Sequence, residues 1–99
     1  MIRGSTPTHT FNLKLDADLI HKVRVLYAQN DVCVLKKEDS DCIKNGQTIV
    51  VKLTQEDTLL FKEGKVEIQL RVLTSTGESI PSKIHTVAVS KLLEDEVFT

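Results

Sequence analysis

Period-two alternation of apolar and polar residues dominates this chain. The cleanest run is Lys65-Val66-Glu67-Ile68-Gln69-Leu70-Arg71-Val72, which puts Val66, Ile68, Leu70 and Val72 on one face and the polar residues on the other. That is the signature of a strand with one buried and one wet face, as antiparallel sheets provide. Phe11, Leu13 and Leu15 alternate with Asn12 and Lys14, and Val23, Val25 and Tyr27 alternate with Arg24, Leu26 and Ala28. Ile49, Val51 and Leu53 form another such row. Val32-Cys33-Val34-Leu35 is apolar throughout, and Lys83 to Ser90 is rich in β-branched residues.

The punctuation between these runs predicts hairpins. Asn30-Asp31 separates two strand candidates, Asn45-Gly46 is the strongest turn dipeptide, and Ser75-Thr76-Gly77-Glu78 joins two more strands. Two stretches break the β pattern. Asp16 to Lys22 predicts one helical turn with Asp16 as N-cap, and Thr54 to Phe61 predicts another capped by Thr54. In the second, Gln55 and Glu56 are expected in water and Leu59, Leu60 and Phe61 in the core. Turns of this kind carry the chain from one sheet to the other. About six to seven strands at this spacing, with one or two helical turns, predict an all-β antiparallel sandwich in one domain spanning 1–99.

Composition narrows the function classes. Thirteen basic residues against 14 acidic ones leave a formal net charge of −1, so no basic field favours nucleic acid or an anionic membrane. The aromatics Phe11, Tyr27, Phe61 and Phe98 are too few for base- or sugar-stacking platforms. No apolar run approaches the length of a membrane span, and Met1-Ile2-Arg3-Gly4 does not lead into a signal sequence. Two cysteines make no disulfide framework. Both are expected as free thiols, Cys33 protected in its apolar run and Cys42 accessible after the acidic loop.

No constellation points to catalysis. His9, His21 and His85 lie in different segments, and Cys33 and Cys42 are spaced for neither CxxC nor a Cys/His zinc site. A nucleophile needs an adjacent base and an oxyanion donor, and an apolar strand leaves a thiol inert. Glu38-Asp39-Ser40-Asp41 and Glu94-Asp95-Glu96 read as solvated charge runs, because the first lacks the oxygen spacing of a calcium loop. No catalytic, cofactor-binding or metal-binding residue is assigned.

The termini differ from the body. Residues 1–10 are polar and carry Pro7, like an N-terminal arm. The C-terminal tail, 92–99, interleaves Leu92, Leu93, Val97 and Phe98 with Glu94, Asp95 and Glu96. These four apolar residues are the candidate interface, since exposed apolar segments mark docking sites.

Several segments together resemble a family of small structural proteins of Firmicutes phages and prophages. They are Arg3 to Phe11, Tyr27-Ala28-Gln29-Asn30, Leu53 to Phe61 and Gly64 to Arg71. The layout is also similar to the N-terminal Ig-like domain of phage upper baseplate proteins. There too a turn ending in an aromatic leads through a glycine to an alternating strand, a Gly hairpin and a final strand. The resemblance implies an Ig-like β-sandwich and a non-enzymatic tail or baseplate role in the virion, after synthesis in the host cytoplasm. Its partners would be other virion proteins or further copies of itself. The rival expectation is a host-receptor or carbohydrate-binding β-sandwich module.

Overall fold

The computed structural model describes all residues, Met1–Thr99. Eight strands and one short helix follow in order: β1 (Thr8–Asn12), β2 (Ile20–Gln29), β3 (Val32–Lys37), β4 (Cys42–Asn45), β5 (Thr48–Lys52), α1 (Gln55–Leu59), β6 (Gly64–Thr74), β7 (Ser79–Pro81) and β8 (His85–Val89). They form two antiparallel sheets. The smaller has the order β1-β5-β4; the larger has β3-β2-β6, with β7 and β8 both paired to the far side of β6. The fold is an all-β antiparallel sandwich.

Connections within a sheet are tight turns. Gln29 pairs with Val32, so Asn30-Asp31 is a two-residue turn, and both residues have positive φ (51° and 64°). That is the type I′ geometry matching strand twist, and Asn and Asp tolerate it. Asn45 pairs with Thr48, so the second hairpin turns on Gly46-Gln47 rather than on Asn45-Gly46. Gly46, at φ 59°, supplies the positive angle at the first turn position.

Connections between sheets are helical turns. A 3-10 turn at Ala17–Leu19 carries β1 into β2, and α1 carries β5 into β6. A third crossing, β3 to β4, uses a 3-10 turn at Asp39–Asp41 inside the acidic run expected to be a solvated loop. Glu38 and Asp41 close a capping box there, and Asp39 accepts from the Val23 amide at 3.0 Å and from Lys44 Nζ at 2.9 Å. Asp39 thus satisfies the Val23 amide, which β3 does not reach.

The core joins both sheets. Val23, Val25 and Tyr27 of β2 and Val66, Ile68, Leu70 and Val72 of β6 face Ile49 and Val51 of β5, with Leu53, Phe61, Ile20 and Val89 completing one cluster. The expected register of β6 holds: its four apolar residues are buried, Arg71 is exposed, and Glu67 and Gln69 are half-buried. Thr54 caps α1 as expected, its hydroxyl accepting from the Asp57 amide at 3.1 Å while Asp57 accepts from the Thr54 amide at 2.8 Å. Gln55 is half-buried, contrary to expectation, while Glu56 is in water.

Other expectations need correction. Asp16 makes no side-chain cap; its carboxylate accepts from Gln47 instead. Leu60 is exposed, because the helix ends there and only Phe61 turns inward. β1 begins at Thr8, so the first strand lies earlier than the Phe11–Leu15 alternation implied and takes in part of the presumed arm. The rest of that arm is docked: the Met1 amino group donates to Ala88 O, and Arg3 donates to Phe61 O (2.6 Å) and Leu59 O (3.0 Å).

Candidate interaction surface

The tail leaves the sandwich beside the start of β6, where β8 ends opposite Gly64 and Ser90 bridges to Ile2. Three contacts fix its course. Leu92 packs against Gly4, where a Cβ would come within 2.7 Å of its side chain. Asp95 pairs with Arg3 at 2.9 Å. Gln55 grips the backbone of Phe98 from both sides, donating to its carbonyl at 2.9 Å and accepting from its amide at 2.7 Å.

The grip orders the backbone without burying the side chains. Of the four candidate interface residues, Leu92 is half-buried, while Leu93 is 94% exposed, Val97 37% and Phe98 79%. Leu60 at the end of α1 and Ile2 on the docked arm are exposed as well, so the contacts of Gln55 and Arg3 place the tail among other exposed apolar residues. Leaving side chains of this size in water forgoes roughly 1.5–3 kcal/mol each.

A half-buried polar group lies where the two sheets meet near α1. His9 Nδ1 and Tyr27 Oη are 2.8 Å apart, and the Tyr27 ring is tilted against Phe61 with centroids 5.8 Å apart. Burial lowers the His9 pKa, with a smaller contribution from the N-terminal charge, and burial raises that of Tyr27. Lys37 Nζ meets Asp57 Oδ2 at 2.6 Å with both side chains largely covered. Burial pulls the Asp57 carboxyl upward, but the Lys37 and Thr54 hydrogen bonds outweigh it and hold it below its usual range. No buried side-chain polar atom lacks a partner. His9 also borders a shallow cleft of about 510 Å³ that His85 lines from the larger sheet, and through Tyr27 and Lys37 the group ties β1 and α1 to that sheet.

The cysteines reverse the expectation. Cys33 is exposed, because β3 is the edge strand of the larger sheet and its apolar run is open to water on one side. Cys42 is half-buried beside Val51, and burial, with Asp41 and Asp39 adding to it, pushes its thiol up to about 11. Cys33 and His85 sit on opposite edges of the larger sheet, with β2 and β6 between them, so they cannot act as a pair. No three His, Cys, Asp or Glu side chains converge as a metal site, and no helix is long and apolar enough to cross a membrane.

Comparison with known proteins adds little about function. No family model matches the chain, and no curated protein matches it. Among solved structures, the chain is similar to the V domain of amphioxus IgVJ-C2, with 13% identity and a TM-score of 0.36, over 89% of this chain and 95% of that one. The architecture rests on the strand pairing described above: this chain is a two-sheet antiparallel β-sandwich whose most distinctive surface is an anchored apolar tail.

Proposed function

We propose that this chain is a non-enzymatic protein–protein interaction module, and that its C-terminal strip is the docking element. The setting suggested by the sequence resemblance is the tail or baseplate of a phage particle. One observation carries the reading: Leu93 and Phe98 stay 94% and 79% exposed on a backbone that Arg3 and Gln55 already hold in place. A pre-ordered apolar strip loses less conformational entropy on docking than a free tail would. The receptor- or carbohydrate-binding alternative lacks such support, since Tyr27 and Phe61 are fully buried and offer no stacking surface.

Deletion of residues 92–99 tests the proposal by thermal melts and light scattering. The expected outcome is a folded core of near-normal stability with weakened association. A truncated chain that loses several kcal/mol and unfolds as a monomer would make the tail part of the core and end the docking role.

A further inference from the structure

The outer face of the larger sheet carries a feature that neither folding nor the tail explains. Arg24 of β2 lies directly opposite Arg71 of β6, and Lys22 lies opposite Leu73. Like charges directly opposed across strands destabilise a sheet. Arg24 is partly compensated, its Nε lying 3.0 Å from both carboxylate oxygens of Glu38. Lys22 and Arg71 form no ion pair; Arg71 reaches only the Ser79 hydroxyl, at 3.4 Å. These residues line a shallow pocket of about 300 Å³ with Leu73 as an apolar wall. Three cations face a single carboxylate in a chain whose formal net charge is −1.

The tail has the complementary chemistry. Glu94 and Glu96 form no ion pair, and they lie between Leu93 and Phe98, the two most exposed apolar residues of the tail. It does not reach the pocket of its own chain. The tail departs beside Gly64, whereas the pocket centres on Arg71 to Leu73, about 26 Å farther along β6 at the usual rise per residue. Glu94 and Glu96 lie four and six residues past Ser90 and span at most about 22 Å even fully extended, and Asp95 between them is pinned to Arg3.

Building on the docking role proposed above, we propose that the acidic–apolar tail of one copy binds the basic pocket on the outer sheet face of a second copy. Glu94 and Glu96 meet Lys22 and Arg71, and a neighbouring apolar side chain of the tail packs on Leu73. Tail and pocket lie toward opposite ends of β6, in a molecule extending 46 × 29 × 16 Å. Each copy offers one tail and one pocket, so a two-fold pair satisfies both at once, whereas a head-to-tail contact leaves one of each free.

Charge reversal in the full chain tests this by sedimentation at low and high salt. Lys22→Glu/Arg71→Glu and, separately, Glu94→Lys/Glu96→Lys should each weaken self-association roughly tenfold or more. The chain carrying all four reversals should regain it, and added salt should weaken it in the wild type. Because all four side chains are exposed, thermal melts should show unchanged folding; Arg71→Gln gives a milder second variant. A wild-type chain that stays monomeric at low salt overturns the proposal, and so does a four-fold variant that fails to recover. If deleting residues 92–99 abolishes association while pocket reversal does not, this pairing is wrong and the tail's docking role stands. If neither change matters to an associating chain, both readings fall.

Discussion

Cys33 and Cys42 differ in what surrounds the sulfur. Cys33 is open to water on an edge strand, whereas Cys42 is half-buried with its thiol pushed up to about 11. Thiolate is the reactive form, so at pH 8 a disulfide reagent should label Cys33 first; Cys33→Ser protein should react much more slowly than Cys42→Ser. Equal rates would show that Cys42 is not shielded. His9 gives a pH signature. Burial disfavours its charged ring, so the unfolded chain takes up a proton at higher pH than the folded one. The neutral ring's contribution to stability is present above pH 6.5, the unperturbed value, and is lost as the pH falls through the lower folded-state value. Urea midpoints should drop between pH 7.5 and 5.5, and His9→Asn should flatten that slope. An unchanged slope would place the responsible group elsewhere.

At the scale of elements, β6 and α1 carry distinct loads. Leu70 is 1% exposed in the centre of the core, so Leu70→Ala should cost roughly 2–5 kcal/mol. Arg71, one residue on, faces water, and Arg71→Ala should cost under about 1 kcal/mol. Denaturant melts in the reverse order would require a one-residue slip of the strand. The capping box of α1 is tied to β3 through Asp57, which holds both the Thr54 amide and Lys37. Lys37→Gln removes a charge-assisted bond between largely covered groups and should cost about 1.5–3 kcal/mol in the same measurement. Each helical turn marks a crossing between sheets, and each two-residue turn marks a hairpin within one. That division makes the element order legible from the spacing of turn residues. Asn30-Asp31 was readable because both residues favour positive φ. Cys42–Asn45 was not, because Ile43 is exposed and Lys44 half-buried, so the strand shows no apolar face.

For the whole molecule, local sequence pattern determined the all-β class and the inward faces of β2, β5 and β6 through alternation, and the cap of α1 through Thr54. Each follows from a local rule: side chains alternate across a strand, and a threonine immediately before a helical run accepts from the free amide three residues on. Sequence likewise marked Leu92, Leu93, Val97 and Phe98, since apolar residues among acids stand out wherever they fall. Tertiary structure decided the rest. Whether an apolar run is central or an edge depends on which strands flank it, and that placed Cys33 in water and Cys42 under cover. Whether the tail is frayed or held depends on Arg3 and Gln55, which lie 92 and 43 positions from Asp95 and Phe98 in the chain. The opposed Arg24 and Arg71 are likewise visible only once β2 and β6 are paired in register. Such pairings join distant residues, and local propensity carries no information about which distant partner a strand will meet.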